Sequence, residues 1–289
     1  MARTRTSLVA AVVIGLATAA AARAEADKGE PQFGFTEDTD IGDKGNRGIE
    51  LDTTTGLGKR SGSYAVTSQS IAAKYTILDN LRIAPIAAFN HHHIRGVPDM
   101  ADRSQFSFAG LAFETKYRLL DRSHAPFGLA LGATPYWQRV DQTSGEPVES
   151  YGIGFIVAAD KELIAERLFA AFNLSYDAAA TRSRTMGIWE HGSGFGVSGS
   201  LNVPLGHGVF VGGEVRHKRA YDGLALDRYA GHALFVGPHF NAKLSKNVSI
   251  AAAWNAQVAG RAVDNPGALD LTNFERHRVK IKIEIELGP

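Results

Sequence analysis

Residues 278–287 read RVKIKIEIEL, and this stretch decides the fold. Apolar side chains stand at Val279 and at every second position up to Leu287, and charged side chains stand at every position between them. Because successive side chains point to opposite faces of a β-strand, the segment predicts a strand with one apolar face and one charged face.

The same alternation recurs along most of the chain and is clear in residues 105–119, 127–139 and 232–244. In each stretch one face is apolar and the other is mostly small or polar. We predict twelve strands, all of them much longer than the roughly five or six residues that are typical of soluble proteins. The predicted strands are residues 47–59, 64–77, 81–94, 105–119, 127–141, 151–162, 167–179, 186–202, 208–220, 232–244, 248–260 and 274–287.

Aromatic side chains mark the ends of the predicted apolar faces. Phe127 and Trp137 share a face ten positions apart, which corresponds to about 25–34 Å along a strand. An apolar band of about 25 Å between two aromatic girdles is typical of outer-membrane barrels. We predict that these two residues and five others form the girdles. The five others are Tyr75, Tyr117, Tyr176, Trp189 and Trp254.

This pattern favours an all-β fold, a transmembrane antiparallel β-barrel of twelve strands, over a soluble β-sandwich. In lipid, only a closed barrel gives every strand a hydrogen-bonding partner on both sides. The predicted connections alternate in length, which is typical of short periplasmic turns and longer extracellular loops. The longer connections are residues 95–104, 142–150, 180–185, 221–231 and 261–273.

The composition of the chain excludes several other classes of protein. There is no cysteine among its 289 residues, which excludes disulfide scaffolds, thiolate metal sites and a cysteine nucleophile. Its 31 basic and 30 acidic side chains nearly cancel, so we expect no nucleic-acid partner. Outside the N-terminus no apolar run is long enough for a membrane-spanning helix. We expect no cofactor.

The first residues have the pattern of a secretory signal peptide. Two arginines precede a short apolar run, and residues 22–24 form a small-x-small cleavage site. We therefore predict a signal peptide over residues 1–24, an acidic segment over 25–46 and the barrel over 47–289. The acidic segment either enters the barrel as a plug or stays in the periplasm as a tail.

Charged side chains of both signs occupy the faces that a barrel would turn inward. The first and last strands of a closed barrel are neighbours, so Glu50 and Asp52 are expected to face bases of the last strand. Such pairs either brace a small lumen or line a polar path for a small hydrophilic solute, and both interpretations stay open. The predicted pore-lining residues are Glu50, Asp52, Lys74, Arg82, Glu114, Lys116, Arg118, Glu190, Glu214, Arg216, Lys218, Lys243, Arg278, Lys280, Lys282 and Glu284.

Two further hypotheses concern a metal ion and a catalytic pair. His91 and His93 share one face of a strand and are weak metal-ligand candidates, because a third ligand would have to come from elsewhere. His191 and Ser193 also share a face, on which the imidazole could act as general base for the hydroxyl. This His-x-Ser motif resembles that of outer-membrane phospholipase A and of lipid A deacylases, although Gly194 stands where those families usually have asparagine.

The stretches FGFTEDTDIGDKG (33–45), LLDRSHAPFGLAL (119–131) and AGRAVDNPGALDLTNFERH (259–277) resemble uncharacterised, porin-like outer-membrane β-barrel proteins of alphaproteobacteria. This resemblance implies an outer-membrane location in a Gram-negative bacterium. It also implies contact with membrane lipid and lipopolysaccharide, and insertion by the barrel-assembly machinery. Such barrels usually end in an aromatic residue, whereas this chain ends Leu287-Gly288-Pro289.

The favoured function is a porin-like passive channel for small polar solutes, without enzymatic activity. One alternative is an outer-membrane lipid hydrolase that uses His191 and Ser193. Another is a non-conducting structural or adhesive barrel that acts through the loops at 221–231 and 261–273.

Overall fold

The computed structural model describes residues 32–265 and 267–288. The predicted signal peptide lies outside these residues, as does the start of the acidic segment. The regular structure of the described chain consists of twelve β-strands. No helix in it is long and apolar enough to cross a membrane.

The twelve strands confirm the number and order predicted from the alternation. They are β1 (Arg47–Leu57), β2 (Ser63–Leu78), β3 (Leu81–Arg95), β4 (Arg103–Leu120), β5 (Gly128–Val140), β6 (Pro147–Ile164), β7 (Leu168–Ser183), β8 (Trp189–Gly206), β9 (Val209–Asp222), β10 (Arg228–Ser245), β11 (Val248–Ala262) and β12 (His277–Gly288). The largest differences are four residues: β8 ends later at the short-turn end, and at the long-loop end β6 and β10 begin earlier and β7 ends later than predicted. There Val148 still pairs with Ser183, so backbone hydrogen bonding continues after the apolar alternation has ended.

The strands form a closed antiparallel barrel, as predicted. Each strand pairs with its neighbours in the chain, and β1 pairs with β12 to close the ring. At this seam Leu51 lies opposite Ile283, and Glu50 lies opposite Glu284. Closure leaves no strand edge without hydrogen-bonding partners, which is the condition for a sheet to span lipid.

Connections at the two ends of the barrel differ in length. At one end, which we call the short-turn end, turns such as residues 79–80 and 207–208 join the strands. At the other, the long-loop end, most connections have five to seven residues, and residues 263–276 form the longest; the connection 121–127 is the long exception at the short-turn end. The start of β1 and the end of β12 both lie at the short-turn end.

The outer face of the barrel carries an extended apolar surface. Leu111 is 52% exposed, Val215 49% and Trp254 48%. Soluble proteins rarely expose contiguous apolar areas of this extent, so lipid is the solvent that fits this face. The residues predicted for the aromatic girdles lie on this outer side of the barrel. Tyr75, Tyr117 and Phe127 are near the short-turn end, Trp137 and Trp189 are near the long-loop end, and Tyr176 and Trp254 are between them.

Small and polar side chains form the inner wall. Ala84 and Ala233 are almost fully buried and alternate with outward-facing residues. Near the long-loop end, Tyr64 and Val66 pack against Ile94 in a small apolar cluster inside the barrel. The small wall residues leave room in the lumen, and the chain occupies part of that room with its own segments.

Two connections at the long-loop end fold over the mouth of the barrel. The connection 141–146 accepts a hydrogen bond from the Tyr64 hydroxyl. Lys59 donates to two carbonyl groups of the connection 263–276. Asp270 in that connection is fully buried. Both connections therefore narrow the lumen at this end.

Candidate functional site

Residues 32–46, which we call the internal segment, lie inside the barrel. The segment follows the inner wall near the short-turn end and then enters β1 at Arg47. Hydrogen bonds join it to strands from β2, through the Thr76 side chain, to β12, through Glu284. Of the two positions that the sequence left open for the acidic segment, the described part occupies the lumen.

A buried carboxylate anchors the start of the internal segment. Glu214 of β9 is 2% exposed, and it accepts hydrogen bonds from the backbone amides of Phe35 and Thr36 at 2.9 and 3.1 Å. Asn255 of β11 donates to the same carboxylate at 2.9 Å. A buried charge is tolerated only where donors surround it. Here the internal segment supplies most of those donors.

Two further strands hold the middle of the internal segment. Asn173 of β7 accepts a hydrogen bond from the amide of Glu37 at 2.7 Å and donates to its carbonyl at 2.8 Å. Asp160 of β6 accepts from the amide and the hydroxyl of Thr39, at 3.0 and 2.9 Å. Because these bonds reach backbone groups, they fix the path of the chain across the lumen.

A glycine in the wall makes room for the contact between Thr39 and Asp160. A Cβ atom at Gly128 of β5 would collide with Oγ1 of Thr39 and with Oδ1 of Asp160. The wall therefore lacks a side chain at the point where the internal segment meets it.

Basic wall residues hold the acidic part of the internal segment. Lys116 Nζ donates to the carbonyl of Asp38 at 2.9 Å and lies 3.9 Å from its carboxylate. Burial raises the pKa of Asp38, but Lys116 and Lys282 lower it more, so this pKa lies below its usual range. Arg118 lies 3.6 Å from the carboxylate of Asp40. The segment and the wall therefore complement each other in charge.

Ion pairs also join the strands on either side of the barrel seam. Lys74 of β2 lies 2.5 Å from Glu50 and 2.8 Å from Glu284. Asp52 pairs with Lys280 of β12 at 3.0 Å, as expected from the sequence. Glu50 differs from the expectation, since the register places it opposite another carboxylate, Glu284. The two acids therefore share a lysine of the next strand.

The internal segment lies between two polar spaces. On its short-turn side, a cavity of about 340 Å³ is lined by eight carboxylates and six basic side chains. On its long-loop side, cavities of about 350 and 190 Å³ share lining residues, Ser68, Gln142 and Arg278 among them. These two cavities form one space, which we call the loop-side chamber.

The predicted pore-lining residues are distributed between these spaces. Nine line the short-turn cavity: Glu50, Lys74, Arg82, Glu114, Lys116, Lys243, Lys280, Lys282 and Glu284. Four line the loop-side chamber: Asp52, Arg216, Lys218 and Arg278. Arg118 and Glu214 bind the internal segment instead. Glu190 is exposed at the long-loop end of β8. That these side chains line a path for solutes stays a prediction.

Sequence reasoning missed the uncharged anchors of the internal segment. Asn173, Asn202 and Asn255 are all nearly or fully buried. Asn202 of β8 donates to the carbonyl of Gln32 at 2.8 Å. Their position in the alternation could have revealed them, because each lies on the same strand face as the small and polar residues of the inner wall. A search for charged residues on the inner face does not find these uncharged amide side chains.

The histidines of β3 lie on opposite faces of the strand. His91 and His93 are on the outer face, whereas His92 is fully buried inside and makes a hydrogen bond with the carbonyl of Gln142 at 3.1 Å. Over residues 32–265 and 267–288, no three histidine, aspartate or glutamate side chains gather closely enough to hold a metal ion. The outward pair therefore has no third ligand of these types within the described chain.

The hydroxyl of Ser193 is engaged by a neighbouring connection. Its Oγ donates to the carbonyl of Gly223 at 2.7 Å and accepts from the amide of Leu226 at 3.2 Å. The connection 223–227 thus covers Ser193, which is largely buried on the outer side of β8. These bonds give the serine a role in holding the connection, beside which His191 is exposed.

A closed barrel of twelve long strands, apolar outside and charged inside, has the architecture of outer-membrane β-barrels. In fold the chain is similar to the COG4313 outer membrane channel from Pseudomonas putida F1, with a TM-score of 0.59 and 14% identity over 89% of this chain and 100% of that one. The chain belongs to the family of unknown function DUF6662, which it matches over residues 25–287.

Two porin structures are also similar to the chain. The NanC porin has a TM-score of 0.49 and 9% identity, over 82% of this chain and 100% of that one. The KdgM porin in complex with disordered oligogalacturonate has a TM-score of 0.45 and 10% identity, over 82% and 98%. No curated protein sequence matches the chain. At 14% identity the similarity to the COG4313 channel supports the fold alone.

Proposed function

We propose that this protein is a porin-like passive channel for small polar solutes, with a lumen narrowed by the internal segment. The observation that carries the proposal is polar space on both sides of that segment, about 340 Å³ on one side and cavities of about 350 and 190 Å³ on the other. Twelve strands lie between the filled barrels of eight strands and the open channels of sixteen or more.

The lining chemistry supports passage of polar solutes. Charged, hydroxyl and amide groups can replace water molecules around a polar solute, which lowers the cost of entering a narrow path. Most of the charges at the short-turn side are paired with a neighbour, as Arg82 is with Glu114 at 3.0 Å. A paired wall binds neither sign of charge tightly, and weak binding lets a solute leave as readily as it enters.

The proposal includes an orientation and a location. Residues 1–24 are removed on export, and the short-turn end faces the periplasm of a Gram-negative bacterium. Membrane lipid and lipopolysaccharide contact the apolar outer face, and the barrel-assembly machinery inserts the chain into the outer membrane.

Planar-bilayer recording of the purified protein tests this function. We expect a small ohmic conductance for the native protein and a several-fold larger one after deletion of residues 25–41, because the deletion removes most of the material that crosses the lumen. Glu214→Ala is a milder variant that removes one anchor and is expected to give an intermediate conductance. Ser193→Ala changes only the outer side and serves as the control.

Silence of both the native protein and the deletion variant would contradict the channel and favour a structural barrel. The hydrolase alternative has its own readout in the same preparations. We expect no fatty acid release from phospholipid vesicles with calcium; release that Ser193→Ala abolishes would support the hydrolase instead.

A further inference from the structure

The loop-side chamber and the short-turn cavity differ in how their charges are balanced. In the short-turn cavity, carboxylates outnumber basic groups, eight to six. In the loop-side chamber three basic side chains, Arg216, Lys218 and Arg278, face two acids, Asp52 and Glu275. The lumen therefore has an excess of acidic groups on the short-turn side of the internal segment and an excess of basic groups on its long-loop side.

Both acids of the loop-side chamber already have partners. Asp52 is paired with Lys280 at 3.0 Å, and Glu275 lies 3.7 Å from Nε of Arg278. Burial raises the pKa of Glu275, but Arg278 and Lys59 lower it more, so the group stays ionised at neutral pH. Neither Asp52 nor Glu275 is therefore available to neutralise Arg216 or Lys218.

Arg216 and Lys218 lack a carboxylate partner within ion-pair distance in the described chain. The guanidinium of Arg216 lies 4.1 Å from the ring centre of Phe35 in the internal segment, and it donates a hydrogen bond to the neutral Oδ1 of Asn255 at 3.4 Å. Stacking on an aromatic ring orients a guanidinium and leaves its edge available to a carboxylate.

Arg278 lies at the same place, and its side chain is not fully hydrogen-bonded. Nε of Arg278 is buried and lies 3.7 Å from the Glu275 carboxylate, so it forms an ion pair there without a hydrogen bond, and the same guanidinium lies 5.9 Å from the ring of Phe35. Buried donors in folded proteins are nearly always paired. The two arginines and Lys218 thus form one basic surface that faces the chamber.

The opposite wall of the chamber is polar, and its acid Asp52 is already paired with Lys280. It carries hydroxyl groups from Thr54, Ser68 and Ser70, together with the amides of Asn90 and Gln138. These groups bind the hydroxyls of a solute without adding charge. A ligand that uses both walls carries a carboxylate at one end and hydroxyl groups along the rest.

From this arrangement we propose that the loop-side chamber is a binding subsite for small hydroxylated carboxylates, with Arg216 and Lys218 as the groups that bind the carboxylate. The proposal rests on the proposed channel function and names the class of solute that it favours. The chamber lies on the long-loop side of the internal segment. A solute that enters from outside therefore reaches the chamber first and the internal segment afterwards.

The test measures equilibrium binding to the full barrel in detergent and ion selectivity in planar bilayers. Gluconate is the probe, and glucose is its neutral counterpart. We expect gluconate to bind and glucose not to, and the loss of a basic side chain from the chamber to shift the ion selectivity of the channel toward cations. Arg216→Gln and Lys218→Gln are each expected to weaken gluconate binding about tenfold or more, since a charge-assisted hydrogen bond is lost.

Arg219→Gln is the matched control, because it removes the same charge from the same strand on the outer face. It is expected to leave gluconate binding and selectivity unchanged. Equal binding of gluconate and glucose, or binding that neither inner variant weakens, would overturn the subsite. Gluconate binding in a barrel that never conducts would instead overturn the channel and leave the subsite standing.

Discussion

At Gly128, the absence of one side chain lets the internal segment reach the wall. Thr39 and Asp160 meet at this point through two hydrogen bonds, and a Cβ atom on Gly128 would collide with both partners. Gly154 of the neighbouring strand β6 faces the lumen as well, but a Cβ atom there would lie 3.6 Å from the carboxylate of Asp177, an ordinary contact. The two glycines therefore differ in what they allow.

We predict that Gly128→Ala displaces the internal segment from Asp160, because the added methyl group overfills a tightly packed contact. Hydrogen exchange at the amide of Thr39 is expected to become about tenfold faster or more, which corresponds to the loss of one net hydrogen bond. Gly154→Ala is the matched control and should leave that exchange rate unchanged. Equal exchange rates in the two variants would contradict the assigned role of Gly128.

At the scale of elements, the seam between β1 and β12 depends on a lysine that belongs to neither strand. Lys74 of β2 bridges Glu50 and Glu284, whose carboxylates lie opposite each other across the seam. Removing one member of a mostly buried ion cluster leaves its partners with uncompensated charge. Arg60 and Asp99 form an exposed pair at 2.6 Å. Because water screens both charges, removing one of them leaves little uncompensated charge.

Lys74→Met is therefore expected to destabilise the barrel by about 3 kcal/mol, the usual cost of leaving a buried charge without its partner. Arg60→Met should cost less than about 1 kcal/mol, as is typical of a surface pair. Urea unfolding in detergent micelles measures both variants. Similar losses in the two would show that the seam does not depend on Lys74.

How far the elements could be predicted follows from what alternation specifies. Ile281 and Lys282 reveal by their order which face of β12 meets lipid and which meets the lumen, and twelve such patterns gave the closed barrel. Alternation specifies the face of a residue but not its stagger against the next strand. The sharing of Lys74 between two acids depends on stagger, so it could not be predicted.

The internal segment marks a second limit of the sequence. Its position rests on Glu214, Asn173 and Asp160, which come from three strands distant in the chain. Glu214 could be predicted to face inward because it is in phase with Arg216 and Lys218. Its actual partners are backbone amides of residues 35 and 36, and backbone groups carry no pattern in a sequence.

At the scale of the whole molecule, the barrel has its apolar side chains outside and its polar ones inside. Three tryptophans are present in the chain, Trp137, Trp189 and Trp254, and all three are on the outer face. Trp254 is near the middle of its strand, between the buried inward residues Ala253 and Asn255. Trp189 is the first residue of β8, at the long-loop end.

We predict that lipids with brominated acyl chains quench the tryptophan fluorescence of the protein in vesicles, because its indole rings contact lipid. Trp254→Phe is expected to remove most of the quenching by bromine deep in the bilayer. Trp189→Phe should change it little, since that ring lies near the lipid headgroups. A protein quenched only by water-soluble iodide would not have this membrane orientation.

The internal segment has a consequence for the order in which the molecule is assembled. The internal segment is held by hydrogen bonds to Thr76 on β2, Glu214 on β9 and Glu284 on β12. These three residues belong to one closed ring only after β1 and β12 have paired and closed the barrel. The segment precedes every strand in the chain, yet its full set of hydrogen bonds can form only after the ring has closed. We therefore expect a folding stage in which the ring has closed and the internal segment has not yet bound to its inner wall.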